Sequence, residues 1–296
     1  MDLKAYPDLL KSLVDRQGAS EQTAVWQKLG YLACRVGGGG PDLAATYSEA
    51  AAAYFAAADV LDEVQDEDEG GALWQEAGAG VAVNAGTGLL VRSLEMVANL
   101  NRQGVAPERV LQALRILTVW TDRACRGQHL DLVEGSSPQL TFSRYYRIVD
   151  LKSGSLVAAL CAAGAVLGGA GSSTAAALAS FGRHLGIALQ VANDSRSLLL
   201  REQGKSDWRQ GRRTFPILYA YRHAADPRCQ RFCHLFETCR TDPDAQAEMI
   251  RLLTEVGGFL FADRIKQMEL DTARRRLARL APSPWRDQLE GVTARL

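Results

Sequence analysis

The sequence lacks the patterns that are typical of β-strands: there is no β-branched run of useful length and no Asn-Gly pair that would close a hairpin. It also lacks a basic excess, because 34 Lys and Arg balance 34 Asp and Glu for a formal net charge of zero. Without that excess we expect no nucleic-acid partner, since such binding depends on counterion release. The N-terminal residues form neither a basic nor an apolar segment, so we expect no signal peptide.

Disulfide-type cysteine spacing is absent as well, although the chain has six cysteines. A chain of 296 residues, 47% of them hydrophobic, can bury a full core without cross-links. We therefore expect a cytoplasmic location. Cys229, Cys233, His234 and Cys239 could be read as a zinc cluster, but their spacing differs from the paired Cys-x2-Cys pattern. Ordinary thiols on a helix are the favoured interpretation.

An unbroken apolar run of membrane-spanning length is also missing. The most apolar segment, 155–189, is divided at Gly168-Gly169, and neither half reaches the roughly 20 residues that a span needs. We expect two buried core helices and no membrane span. Apolar spacing predicts further helices at 3–16, 21–36, from Pro41 to the acidic stretch, 72–102, Pro107–Cys125, 212–239 and 244–280. The prediction is one all-α domain over 1–296 with about ten helices.

An acidic stretch, Asp62-Glu63-Val64-Gln65-Asp66, follows the alanine-rich run 50–58. If the helix continues, Asp62 and Asp66 lie on one face at i, i+4 spacing. Like charges at that spacing destabilise a helix by roughly 0.2–0.5 kcal/mol per pair. Carboxylates are the ligands that Mg²⁺ prefers, so the stretch indicates either a magnesium site or a solvated acidic helix end.

Polar residues interrupt the apolar pattern again at Gln190, Asn193, Asp194 and Ser197, which share one helix face. Buried polar groups need partners, so these side chains line a wet cavity or a metal site, or they mark a helix end in solvent. The loop 204–216 contains several cations that could neutralise a phosphate. It is not a P-loop, because its first glycine is missing and no strand precedes it.

Three further side chains have open roles. Lys152, at the start of an apolar helix, could extend to solvent or face a phosphate. His129 could serve as a general base, although a lone histidine is more often a surface residue. His184 lies in an apolar helix and is more typical of a core or boundary position.

In order and spacing, these segments resemble the trans-isoprenyl diphosphate synthase (polyprenyl synthetase) family over about residues 25–270. Each segment is weak alone, but the set is specific. The resemblance implies the all-α isoprenoid synthase fold, with helices around a central cavity. The matching segments are 32–38, 62–66, 127–132, 146–154, 181–190, 193–194 and 204–216.

In that family, two aspartate-rich motifs hold Mg²⁺ on the diphosphate of an allylic substrate, whose departure leaves a carbocation. The resemblance implies that Asp62, Glu63, Asp66 and Asp194 would ligate the metal. The diphosphate ligands would be Lys152, Gln190 and Lys205. Asp62, Asp66, Lys152 and Lys205 would be the catalytic groups.

The resemblance also implies a hydrocarbon tunnel lined by Ala57 and Ala58, one turn before Asp62. Small side chains at these positions leave the tunnel deep, so a C15 or C20 allylic chain should fit better than C10. A homodimer is expected from the same resemblance.

The chain departs from the family pattern at three places. The family's Gly-Gly-Lys-Arg segment corresponds to residues 24–28, which read Ala-Val-Trp-Gln-Lys in this chain. The family's paired arginines correspond to residues 71–76, where this chain has no arginine. Cations that would hold a second diphosphate, that of isopentenyl diphosphate, are thus missing. In the second motif, Asn193 and Ser197 replace usual aspartates. Asn193 to Ser197 partly matches the metal motif of terpene cyclases, but Arg201 stands where that motif has glutamate.

Three functions remain open from these residues. The first is a magnesium-dependent prenyltransferase whose acceptor need not be isopentenyl diphosphate and could be a peptide or a small molecule. The second is a terpene cyclase that ionises the same substrate. The third is a non-catalytic regulatory subunit of a prenyl diphosphate synthase.

Overall fold

A computed structural model of the chain describes residues 6–18, 21–67, 73–200 and 207–294. In these ranges the chain is helical and has no strands, which confirms the all-α prediction. The α-helices are α1 (Tyr6–Gly18), α2 (Glu21–Val36), α3 (Pro41–Gln65), α4 (Leu73–Ala77), α5 (Ala79–Ala98), α6 (Pro107–Glu134), α7 (Phe142–Val149) and α8 (Ser155–Gly168). They continue with α9 (Ser172–Leu200), α10 (Asp207–Gln210), α11 (Phe215–Arg222), α12 (Pro227–Thr238), α13 (Pro243–Glu255), α14 (Gly258–Leu277) and α15 (Pro284–Thr293).

The described ranges thus hold fifteen α-helices rather than about ten, because local breaks divide three predicted helices and because α7, α10 and α15 were not predicted. The predicted helix 72–102 is divided at Gly78, whose φ of +89° cannot continue a helix. The predicted helix 212–239 is divided before Pro227, where the Asp226 carboxylate caps α12. The predicted helix 244–280 is divided at Gly257, between α13 and α14.

The core of the bundle is built from α2, α3, α6, α8 and α9, with α5 and α14 packed outside. Most of α8 is buried, and α9 crosses the molecule beside it. The two halves of 155–189 are therefore core helices, as the sequence predicts. Two stretches, Ala79–Gln103 and Phe142–Gly168, are long and apolar enough to cross a membrane. The second is 72% buried inside the protein, as core helices are.

Two irregular turns join these helices: a 3₁₀ turn at Asn99–Gln103 and a π-helical turn at Asp150–Gly154, called here the π turn. The π turn joins α7 to α8 without a break in direction, and it contacts both α6 and α9. Single π-helical turns inside α-helices are frequent at functional sites. This turn carries Lys152.

Candidate active site

The acidic stretch ends the longest alanine-rich helix of the core. Pro41 starts α3, and a buried alanine run allows close packing on its neighbours. The helix ends at Gln65, where the Asp66 N–H donates to the Asp62 carbonyl over 2.8 Å. Glu67 then adopts a φ of +50°, in the left-handed region that ends helices. Asp62 and Asp66 therefore project from the last turn of α3.

Three carboxylates converge on the ammonium group of Lys152. Its Nζ lies 2.8 Å from Asp62 Oδ1, 3.1 Å from Asp131 Oδ2 and 3.6 Å from Asp66 Oδ2. Asp66 and Asp131 are both buried, whereas the Asp62 side chain is 40% exposed. The acidic stretch and Lys152 thus form one cluster, and Asp131 of α6 joins it.

A second cation, Arg212, closes the cluster from the other side. Its Nη2 donates to Asp66 Oδ1 over 2.5 Å, and its Nη1 donates to Asp131 Oδ2. Gln210 orients the guanidinium by accepting from Nε over 2.6 Å. We call Asp62, Asp66, Asp131, Lys152 and Arg212 the acid cluster. Every carboxylate in it contacts at least one cation.

The charges within the acid cluster shift one another's pKa. Burial, together with repulsion from Asp62, raises the pKa of Asp66 to about 6, although Lys152 and Arg212 oppose this. Burial also acts to raise the pKa of Asp131, but the same two cations outweigh it and hold that pKa below its usual range. Burial lowers the pKa of Lys152, and the three carboxylates more than reverse that effect. The cluster therefore brings three acidic side chains and two basic side chains into direct contact.

Two glycines on neighbouring helices allow the backbone of the π turn to pack closely against them. A Cβ on Gly127 of α6 would lie 2.3 Å from the Lys152 backbone N, and one on Gly186 of α9 would lie 2.5 Å from the Ser153 carbonyl O. No side chain fits at either distance. As a result, the backbone of the π turn lies directly against both helices. From the π turn, the Lys152 side chain contacts Asp62 of α3, and the Ser153 side chain contacts Gln190 of α9.

The second polar motif forms its own hydrogen-bonded group on α9. Ser153 Oγ donates to Gln190 Oε1 over 2.5 Å, and Gln190 Nε2 donates to Asp194 Oδ1 over 2.9 Å. The hydroxyl of Tyr145 donates to Asp194 Oδ2 over 2.5 Å. Since Lys152 and Ser153 are neighbours, the π turn links the two aspartate-rich motifs.

The predicted residues are only partly brought together. Asp62, Asp66 and Lys152 share the acid cluster, whereas Gln190 and Asp194 belong to the group joined through Ser153. Glu63 is half-buried on α3, and Lys205 lies outside the described residues. Ala57 is buried and Ala58 half-buried on α3, one turn before Asp62.

The donor set of the acid cluster is chemically suited to a hard divalent cation. Three carboxylate oxygens lie within 3.6 Å of one Nζ, and the nearby Gln128 Oε1 is buried without a hydrogen-bond partner in the described part of the chain. In the described ranges, however, no three His, Cys, Asp or Glu side chains are arranged around a common metal position. The metal ligands Asp62, Glu63, Asp66 and Asp194 remain a prediction.

Sequence reasoning missed Asp131, Tyr145 and Arg212 as members of these groups. Asp131 and Arg212 lie inside segments that carried the family resemblance, so that signal could have identified them. Tyr145 comes one residue before such a segment. The two histidines take no part in the acid cluster: His129 is exposed, and His184 Nδ1 is hydrogen-bonded to Glu269 over 2.6 Å.

One of the positions that departs from the family pattern is packed into the core. Trp26 is 5% exposed and stacks on Phe55 of α3, with ring centroids 4.1 Å apart. Lys28 is exposed to solvent. Leu73 is buried near the second departure, while 71–72 lie outside the described ranges. A stacked tryptophan and one exposed lysine, Lys28, thus occupy the region where the family pattern has a lysine and an arginine.

Comparison with known sequences identifies a matching family and several similar proteins. The profile of the family Polyprenyl synthetase matches residues 31–253. The chain is 28% identical to a short chain isoprenyl diphosphate synthase from Methanothermobacter thermautotrophicus, over 88% of this chain and 81% of that protein. It is 27% identical to a geranylgeranyl diphosphate synthase from Methanosarcina mazei, over 71% of this chain. That match spans 63% of the M. mazei protein, less than two thirds of its length.

The fold also matches solved structures. One is a polyprenyl synthase from Caulobacter crescentus, which is complexed with calcium and isoprenyl diphosphate. It superposes with a TM-score of 0.83 at 24% identity, over 96% of this chain and 87% of that one. The all-α architecture is therefore that of the isoprenyl diphosphate synthases, as the sequence predicts.

Proposed function

The chain belongs to the polyprenyl synthetase family of prenyltransferases, and we propose that it ionises an allylic prenyl diphosphate with Mg²⁺ and transfers the prenyl group in isoprenoid biosynthesis. The observation that carries this proposal is the acid cluster, in which Asp62, Asp66 and Asp131 meet Lys152 and Arg212. A site for a metal-bound diphosphate needs carboxylates that bind the divalent cation and cationic side chains that bind the diphosphate.

The chemistry requires charge to be stabilised on the departing diphosphate. When bound, Mg²⁺ supplies Lewis-acid stabilisation of that charge, and Asp62, Glu63, Asp66 and Asp194 would hold it. Lys152 and Arg212 now neutralise the carboxylates, and they would turn to the diphosphate oxygens when the substrate is bound. Lys205 would add a third cation, and Gln190 a hydrogen bond.

We further propose that the prenyl acceptor is not isopentenyl diphosphate. Trp26 stacks on Phe55 within the apolar core, and the sequence has no arginine near 71–76. Replacing cations by apolar groups removes the charge-assisted hydrogen bonds that a second diphosphate needs. The acceptor is then a peptide or a small molecule.

The allylic chain is proposed to be C15 or C20, and it would enter beside α3. Ala58 lies one turn below Asp62, and Tyr54 lies one turn below Ala58 on the same face. The Tyr54 hydroxyl is hydrogen-bonded to Thr121 Oγ1 of α6 over 2.6 Å, and it joins the two helices there. Eight residues of helix separate Asp62 from this contact, about 12 Å. The small side chains of Ala57 and Ala58 would leave the hydrocarbon tunnel open near Asp62, and Tyr54 would limit the depth of the tunnel.

A homodimer is also proposed, on the basis of the solvent face of α5 and α6. Val83 and Val91 of α5 and Leu111 and Val119 of α6 are 45–69% exposed. Within each helix the two residues are eight apart and share one face. An apolar surface of this kind is typical of a protein–protein contact. We place the enzyme in the cytoplasm.

A terpene cyclase remains the second candidate because of Asn193 and Ser197, which replace aspartates in the second motif. Ser197 is buried, and its hydroxyl donates to the Asp194 carbonyl over 3.4 Å. A non-catalytic subunit is the third candidate, because the cations of the acid cluster bind its carboxylates here.

Product analysis separates the three candidates. The protein is incubated with Mg²⁺ and geranyl, farnesyl or geranylgeranyl diphosphate, with and without isopentenyl diphosphate. We expect diphosphate release without elongated products, with water capturing the carbocation as the prenyl alcohol because no acceptor is present. Elongated products would refute the argument from Trp26. Cyclic hydrocarbons would favour the cyclase, and absence of both turnover and Mg²⁺-dependent ligand binding would leave the regulatory subunit.

A further inference from the structure

A groove of about 760 Å³ lies between α6, α7 and the π turn, and its lining includes none of the five acid-cluster residues. Successive helix residues turn by about 100°, so His129 points roughly opposite to Asp131. The floor of the groove is the π turn next to Lys152. The groove is lined by Arg123, Arg126 and His129 of α6, Arg147 of α7, and Asp150 and Leu151 of the π turn, among others.

Two carboxylates around this groove, Asp150 and Glu134, are neutralised by arginines that do not line it. Asp150 accepts two hydrogen bonds from Arg183, over 2.5 and 2.7 Å. Glu134 accepts two from Arg144, both over 2.5 Å. Such two-point contacts between arginine and carboxylate are strong and directional. They do not compensate the positive charge of Arg123 and Arg147, which line the groove.

The arginines of the groove have few competing partners. Arg126 pairs with Asp122 over 2.8 Å, but both side chains are more than half exposed, so this pair is weak. In the described part of the chain, Arg123 and Arg147 have no carboxylate within ion-pair distance. Two guanidinium groups are therefore available in a chain whose formal net charge is zero.

Arg123 is also held in a fixed orientation. Its guanidinium carbon lies 4.6 Å from the centroid of the Trp120 ring, in cation–π contact. Its Nε is buried and has no hydrogen-bond partner among the described residues. A guanidinium fixed on an aromatic ring has little conformational freedom left to lose when an anion binds. Leu130 and Leu151 add apolar surface beside it.

We propose that this groove binds a diphosphate group at a site separate from the acid cluster. Planar guanidinium groups match phosphate oxygens at two points each, and two uncompensated arginines suit a ligand with two adjacent charged groups. Because the groove supplies its own cations, binding there needs no divalent metal and does not depend on the function of the acid cluster.

The test is calorimetric titration with inorganic diphosphate in EDTA, which leaves the acid cluster without metal. We expect the wild type to bind, and the Arg123→Gln/Arg147→Gln variant to bind about tenfold more weakly or worse, as the loss of charge-assisted hydrogen bonds implies. Arg92→Gln/Arg251→Gln removes the same charge from exposed positions elsewhere and should bind as the wild type does. No binding by the wild type, or equal binding by the groove variant, would overturn the proposal.

Cys125 provides a second readout in the unaltered protein. It is exposed and lines the groove, so bound diphosphate should slow its alkylation by iodoacetamide severalfold in EDTA. An unchanged rate at saturating diphosphate would contradict the proposal even if the double variant failed to fold. Geranyl diphosphate in place of inorganic diphosphate identifies the source: tighter binding assigns the site to a prenyl diphosphate, and equal binding to the free anion.

Discussion

Lys152 is the residue on which the acid cluster depends, because it alone contacts all three carboxylates. Removing one partner of a buried ion pair leaves the other charge buried and uncompensated. In the acid cluster, loss of Lys152 would leave the buried carboxylates of Asp66 and Asp131 with less compensating charge. A diphosphate that attracts Lys152 must therefore arrive with positive charge that compensates the carboxylates. This explains, at the scale of residues, why metal and substrate would bind together.

We expect Lys152→Gln to lower the free energy of unfolding by about 3 kcal/mol and any turnover by roughly 10²–10³-fold, because both the buried pairs and a diphosphate ligand are lost. The measurements are urea unfolding and diphosphate release. Lys11→Gln is the control, since it removes the same charge from an exposed position on α1. It should change stability by less than about 1 kcal/mol. Equal effects of the two substitutions would contradict the role of Lys152.

Asp66 should make the stability of the protein depend on pH. Its pKa rises from 3.8 to about 6 on folding, so the folded state binds more protons between these values. The free energy of unfolding contributed by Asp66 therefore falls as the pH rises from about 4 to about 6. Asp66→Asn removes this contribution, and its unfolding free energy should vary differently with pH over that window. Identical pH profiles for wild type and variant, measured by urea unfolding, would show that Asp66 is not perturbed.

The local part of the candidate site could be predicted from the sequence, whereas the contacts between distant segments could not. Asp62 and Asp66 are neighbours through helical spacing, which is a local property. Asp131 and Arg212 join them from α6 and from the turn before α11, and no local pattern shows which of several acids and arginines will meet. Only the family resemblance gives information on such distant pairs.

At the scale of elements, the π turn is the part that positions both motifs. It directs Lys152 toward α3 and Ser153 toward α9. Helical periodicity predicted α2, α3 and α8 closely, because their apolar patterns are regular. The π turn has no such signature, since it depends on contacts with α6 and α9 that only the folded chain makes.

Gly127→Ala tests the π turn. The new Cβ would lie 2.3 Å from the Lys152 backbone N, so the turn must move. We expect a loss of about 1–3 kcal/mol in the free energy of unfolding, together with a loss of turnover. Gly80→Ala is the control, because it has open space around it in α5 and should be neutral or slightly stabilising. Thermal unfolding that ranks the two variants in the opposite order would refute the contact.

At the scale of the whole molecule, the exposed apolar face of α5 and α6 is the surface proposed for the dimer contact. Only 33% of the apolar 18-residue window within Ala79–Gln103 is buried. A second copy that covers this face would place two acid clusters in one assembly. The sequence shows the apolar residues of α5 and α6, but only the fold shows which of them remain exposed.

Light scattering after gel filtration tests this assembly. We expect a mass of twice the 32.1 kDa of the chain at micromolar concentration. Val91→Glu/Leu111→Glu should shift the protein to the monomer, because both side chains are at least 60% exposed on this face. Val81→Ala, at the less exposed start of α5, should remain dimeric. A wild-type monomer would exclude the proposed dimer.

The central claim is that the acid cluster binds a metal and a diphosphate together, and one measurement tests it most directly. Diphosphate release from farnesyl diphosphate is followed with Mg²⁺ and with EDTA, for the wild type and for Asp62→Asn. Asp271→Asn, at an exposed carboxylate of α14, is the control. We expect release by the wild type and by the control with Mg²⁺ only, and none by Asp62→Asn. Metal-independent release, or full activity of Asp62→Asn, would contradict the claim.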